Sequence, residues 1–218
     1  MTDQGVRMLN ETTFRVIAGL LCVLVLPTLA YYWRNATRAE ESFTPVEGWV
    51  IWIVVRLLGF LALVALLTSI LHSSWITWSR LELPIWLRYW AGGVGAMTVP
   101  LLYWVFHTLG QNLSSDIGSR NGQRIVTGGP YRWVRHPLYS VGTVFWIALS
   151  LVLANWAILL MSVLIFVLIV RRTRIEEEKL IEAFGERYRV YRTLTGRFMP
   201  RLNLLKSVQL RSQKAENG

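Results

Sequence analysis

Apolar runs of about 20 residues constrain this chain most, because a helix rising about 1.5 Å per residue needs that length to cross a hydrocarbon layer about 30 Å thick. The first run is Phe14 to Trp33, interrupted near its start by Arg15 and closed by the interfacial aromatics Tyr31, Tyr32 and Trp33. It is too long and too aromatic at its end for a signal peptide. The second lies within Trp49 to His72 and carries Arg56 about two turns in, where it can snorkel to the near interface or face the helix bundle. The third runs from Pro84 to Phe106, with Gly92, Gly93 and Gly95 suited to close helix approach and Pro100 placed to kink it. A polar, glycine-rich stretch from His107 to Pro137 follows, a loop length that usually has a function. Apolar sequence then resumes from Leu138 to Val170. As one helix it would extend about 50 Å, too long for a bilayer, so it reads as two helices broken at Asn155 and Trp156.

The expected fold is an all-α integral membrane protein with about five transmembrane helices, the last two a helical hairpin, and a C-terminal amphipathic helix in the cytoplasm. Residues 1–106 hold the first three helices, 107–200 the loop, hairpin and C-terminal helix, and 201–218 a flexible basic tail. Composition agrees: 53% of residues are hydrophobic and 17% charged, against about 25% charged in soluble domains.

Five crossings put the chain ends on opposite sides, and positive charge chooses between them. With the amino terminus outside, cytoplasmic segments hold Arg34 and Arg38, then Arg120, Arg124, Arg132 and Arg135, then twelve Lys or Arg from Arg171 onward. The net charge of +10 therefore describes a cytoplasmic face suited to anionic lipid head groups, at about 1 kcal/mol per basic residue near the surface. No nucleic-acid recognition module is present. Cys22, the single cysteine, sits in the first run as an apolar filler, and His72, His107 and His136 lack the paired spacing of metal ligands. No metal is expected.

Two segments flank the hairpin. In Gly128-Gly129-Pro130-Tyr131-Arg132-Trp133-Val134-Arg135-His136-Pro137-Leu138-Tyr139, Pro137 suits a first helical turn and sets His136 at a helix amino terminus. From Arg171 to Pro200, Glu176, Glu177, Leu180, Phe184, Tyr188 and Tyr191 recur at three- or four-residue intervals, as on an amphipathic helix. The open ends of a hairpin are neighbours, which brings His136 and Tyr139 close to Arg172, Glu176 and Glu177. The blander reading is an interfacial aromatic belt with a solvated helix on which the glutamates balance Arg172 and Arg174. That reading does not require patterns as specific as RHPLY and RxxxEExxLxxxFGxxYxxY.

At these residues the sequence resembles the isoprenylcysteine carboxyl methyltransferase family and its wider relatives among phospholipid and small-molecule membrane methyltransferases. The resemblance covers about Gly110 to Pro200, in Gly110-Gln111-Asn112, Val126 to Tyr131, Arg135 to Tyr139, Arg172 with Glu176-Glu177, Phe184-Gly185 with Tyr188 and Tyr191, and Arg197-Phe198. It implies methyl transfer from S-adenosylmethionine, at the cytoplasmic face, to a lipophilic acceptor entering from the bilayer, such as the carboxylate of an isoprenylcysteine-like substrate. Residues 107–200 would then be the cofactor-binding catalytic region. Carried over by position, Gln123, Arg124, Ile125, Val126, Tyr131, His136, Pro137, Leu138, Tyr139 and Glu176 would contact the cofactor, with Gln111 or Asn112 also in reach. Arg172, Glu176, Glu177 and His136 are the candidate catalytic residues, and Arg172 would hold the acceptor's carboxylate. Ser140 and Val141 stand before Gly142 where the family often has a glycine sooner.

Methyl transfer from a sulfonium needs mainly orientation and water exclusion, worth together about 7–11 kcal/mol. A carboxylate acceptor needs no base, whereas an amine or thiol would call on His136 or Glu177. Two rival readings are a sterol-type membrane reductase using NADPH and a noncatalytic membrane protein that keeps the fold.

Overall fold

The structure is a computed structural model and describes residues 3–36, 49–71, 74–109 and 125–201. Its helices are α1 (Asp3–Ala36), α2 (Trp49–Ile70), α3 (Ile85–Leu109), α4 (Pro137–Val152), α5 (Trp156–Phe184) and α6 (Glu186–Leu194), and among the described residues no strand forms. By length and composition three segments can cross a membrane: Met8–Ala30 in α1, Trp49–Ile70 (α2) and Trp156–Phe184 (α5). The apolar part of α5 is its first half, to Val170; from Arg171 onward it is charged. The 16 residues of α4 would reach about 24 Å as a helix.

The core lies where α1, α3 and α4 meet, around Phe14, Ala18, Leu21, Leu102, Leu149 and Val152. Small residues make this approach possible: a Cβ on Gly95 would come within 2.9 Å of Leu21 and 3.5 Å of Ala148. Most large apolar side chains on α2 and the first half of α5, including Phe60, Leu67, Leu160 and Val167, point outward, as lipid-facing helices require. Arg56 is one of the exposed residues and stacks over Trp52 at 4.1 Å, so it faces away from the bundle.

The hairpin breaks at the expected place, and the reason is local. Ala154 adopts φ 48°, and Asn155 caps α5 with its side-chain oxygen, which accepts from the amides of Ala157 (3.0 Å) and Ile158 (3.1 Å). The same side chain donates to Ser69 Oγ at 3.1 Å, tying the turn to α2. Beside it, Arg88 at the start of α3 is buried: Nε donates to the Val152 carbonyl at 2.9 Å, and the two terminal nitrogens hold Glu11 at 2.5 and 3.2 Å.

The amphipathic helix expected over Arg171 to Pro200 forms as two pieces. Gly185 takes φ 56°, a conformation an L side chain disfavours, and ends α5 so that α6 can fold back. Gln111, Asn112, Arg120, His72, Arg38 and the tail 202–218 lie outside the described residues, as do the side chains of Tyr31, Tyr32 and Trp33.

Candidate functional site

The site forms where the chain enters α4 and leaves α5. A 3-10 turn, Gly129–Arg132, starts with Gly129 at φ 52°, where an added Cβ would meet Thr108 of α3. This close fit buries Tyr131. The Tyr191 hydroxyl of α6 donates to the Tyr131 carbonyl at 2.6 Å. Burial pushes the Tyr191 phenol up to about 12, so it keeps the proton it donates. The Tyr131 phenol is also raised, first by burial and then by the charges of Tyr191 and Glu176; it stays neutral.

After the turn, the extended chain before Pro137 pairs with the chain after α6. Gly196 N donates to the Trp133 carbonyl (3.1 Å), Arg135 N to Gly196 (2.8 Å) and His136 N to Arg197 (3.1 Å), and Ser140 Oγ donates to the Phe198 carbonyl (2.8 Å). Only glycine fits at 196, since a Cβ would run into the Met199 carbonyl oxygen. Pro137 then opens α4 without needing an amide partner.

Glu177 locks the pairing from α5. Its side chain is 2% exposed and accepts from Arg135 Nε (2.9 Å) and from Arg197 Nε and Nη2 (3.2 and 2.6 Å), with Arg192 Nε at 3.7 Å. Arg135 also donates to the carbonyls of Arg192 and Thr195. The Arg197 guanidinium is held above its usual range, first by its hydrogen bond to Glu177. A carboxylate ringed by guanidinium groups is a poor proton acceptor, so Glu177 is placed to fasten segments together more than to act as a base.

The next residue back faces a different direction. Glu176 accepts a long hydrogen bond, 3.4 Å, from the Tyr139 hydroxyl, and the Tyr139 ring stacks on His136 at 5.7 Å and 16°. His136 is buried, and its Nε2 lies 3.4 Å from Glu177 Oε1 but too poorly aligned to hydrogen-bond it or any other described group. Such an atom is what a bound polar ligand would satisfy. The Phe198 ring lies 6.1 Å from the imidazole, tilted to it, and meets Phe166 of α5 at 5.3 Å. Arg172 is half-buried one turn before Glu176, on the same helix side.

The structure thus gathers Tyr131, His136, Tyr139, Glu176 and Glu177, and sets Pro137 and Leu138 in the first turn of α4. Ile125 and Val126 are partly buried, in irregular chain before the turn, while Gln123 and Arg124 lie outside the described residues. Arg192, Thr195 and Gly196 hold the site and were not among the expected residues; Arg135, Arg197 and Phe198 carried a family pattern without a role. Among the described residues, no group of three or more His, Cys, Asp or Glu could hold a metal.

Residues 94–182, from the middle of α3 to near the end of α5, match the model of the isoprenylcysteine carboxyl methyltransferase (ICMT) family. Over this stretch, somewhat less than half of its length, the chain is similar to that family. A solved structure of a eukaryotic intramembrane Ras methyltransferase, ICMT, shares the fold with a TM-score of 0.51 at 22% identity, over 66% of this chain and 51% of that one. The chain therefore spans about half the length of that enzyme. No curated protein sequence matches it. The ICMT match contains the turn, His136 to Tyr139, Arg172 and both glutamates, and ends before α6 and the segment carrying Arg197 and Phe198. With three apolar helices and this family fold, the chain is an integral membrane protein.

Proposed function

We propose that the protein transfers a methyl group from S-adenosylmethionine to a lipophilic, membrane-borne acceptor at the cytoplasmic face of a membrane crossed by about five helices. The observation that carries this reading is the meeting of Tyr131, the buried and unsatisfied His136 Nε2, Tyr139 and Glu176 at the open end of the hairpin, within the family-matching stretch. The cytoplasmic assignment rests on the basic residues clustered at that end.

The residues present suit such a cofactor. Glu176 supplies negative charge and an acceptor, Tyr131 and Tyr139 supply aromatic faces that favour a cation, and His136 Nε2 supplies a buried polar atom that lies near Glu177 without a well-formed hydrogen bond. S-adenosylmethionine, when bound, supplies an electrophilic methyl on a sulfonium. Arg172, near the apolar half of α5, has the planar donor fork for an acceptor carboxylate such as that of an isoprenylcysteine. The carboxylate is the favoured acceptor class because it attacks without losing a proton, and Glu177 is poorly suited to take one. Catalysis then lies in orientation and exclusion of water by the 3-10 turn and the segment after α6.

Calorimetric titration of the detergent-purified protein with S-adenosylmethionine tests this. Saturable binding is expected, weakened about tenfold or more by His136→Ala and by Glu176→Gln. Folded protein that binds no S-adenosylmethionine, or variants that bind as tightly as the wild type, would refute the reading.

A further inference from the structure

The segment after α6 exposes an apolar side chain that the site does not explain. Met199 follows Phe198, whose carbonyl accepts from Ser140 Oγ, yet its side chain is 79% exposed. The Phe198 ring packs against Phe166, one turn inside the apolar half of α5, so the turn lies at the level where that helix changes from apolar to charged. At the same level α5 turns Val163 and Val167 outward, both more than 40% exposed and suited to lipid. The exposed face of α6 continues the pattern with Val190 and Leu194, one helical turn apart. Around these apolar groups stand Arg187, Arg189, Arg192 and Arg201, all exposed, with Glu186 the one carboxylate in residues 186–201.

We infer that the Phe198–Arg201 turn, with the C-terminal end of α6, is a contact surface for an anionic lipid bilayer. Met199 enters the acyl boundary, and Arg192 and Arg201 lie at the phosphate level. The occupant is argued from charge and continuity: the patch is apolar at its centre, rimmed by arginines, and adjoins the lipid-facing surface of a membrane-crossing helix. A soluble protein partner would have no reason to meet a surface level with the hydrocarbon boundary. This inference needs only the membrane integration of α5 and stands whether or not the protein transfers methyl groups. Its consequence for the site is direct, because the same turn presses Phe198 against His136.

The single cysteine makes the test clean. A nitroxide is attached at Met199→Cys, and separately at Glu186→Cys, in a Cys22→Ser background without cofactor. Each protein is placed in nanodiscs of phosphatidylcholine with or without phosphatidylglycerol. At 199, collisions with oxygen should exceed those with a nickel chelate in anionic nanodiscs, while the label at 186 should show the reverse. Arg192→Gln with Arg201→Gln should abolish the greater immersion in anionic over neutral lipid. A label at 199 as accessible to the chelate as one at 186 would overturn the inference. Equal immersion in neutral and anionic nanodiscs would overturn its electrostatic part.

Discussion

Each end of the α4–α5 hairpin holds a buried arginine against a carboxylate, and the two ends differ in whether that carboxylate is buried as well. At the tight turn, Arg88 spends its fork on the two oxygens of Glu11, its Nε on the Val152 carbonyl and its flat face on Phe14, 3.9 Å away. All three of its nitrogens are engaged, and Glu11 reaches water or head groups with 37% of its side chain exposed. At the open end the carboxylate is the buried partner: Glu177 draws Arg135, Arg197 and Arg192 toward it, from before α4, after α6 and within α6. Positive charge exceeds negative there, and His136 Nε2 remains unsatisfied. The tight end is a fastening, whereas the open end, with a buried polar atom left without a hydrogen bond, has capacity for a ligand.

The largest expected effect breaks the open end. Glu177→Ala leaves Arg135 buried without a carboxylate and frees the segment after α6, a loss of about 3–5 kcal/mol by the usual cost of breaking a buried pair. Thermal unfolding in detergent should register it, and S-adenosylmethionine affinity should fall with it because His136 loses its backing. A variant nearly as stable as the wild type would mean that backbone pairing alone holds the segment, and the comparison between the ends would fail.

Arg88→Ala should be milder, about 1–3 kcal/mol, because the stranded partner is Glu11, which is partly exposed and can be rehydrated. The same melts measure it, and titration separates it from the first variant: cofactor affinity should stay within about twofold of wild type. A large loss of binding in Arg88→Ala would show that the two ends are coupled through α4.

What the sequence disclosed follows the range of each interaction. The hairpin break was legible because Asn155 caps its own helix two and three residues on, and Pro137 marked the start of α4 for the same local reason. The division at Gly185 was hidden because three- and four-residue spacing runs through it unchanged, from Leu180 to Tyr191; only the glycine's positive φ separates α5 from α6. Spacing alone did not divide Glu176 from Glu177; only the family resemblance gave Glu176 and not Glu177 to the cofactor. Helix phase turns one toward Tyr139 and the other toward Arg135 and Arg197, which depends on packing that no spacing shows. Glu11 and Arg88 are 77 positions apart, with no pattern to join them.

The smallest effect concerns the tight turn itself. Asn155→Ala removes the oxygen that accepts the amides of Ala157 and Ile158 and the amide that reaches Ser69. Loss of an N-cap costs about 1 kcal/mol. The turn keeps its other ties, Asn155 N to the Ser150 carbonyl at 2.9 Å and Leu81 N to the Ala154 carbonyl at 2.7 Å, so it should survive. Asn155→Asp restores the accepting oxygen but not the donor to Ser69. If Asp recovers most of the stability lost in Ala, capping dominates; if it recovers little, the bond to α2 does, and the tight end is fastened between helices more than within one.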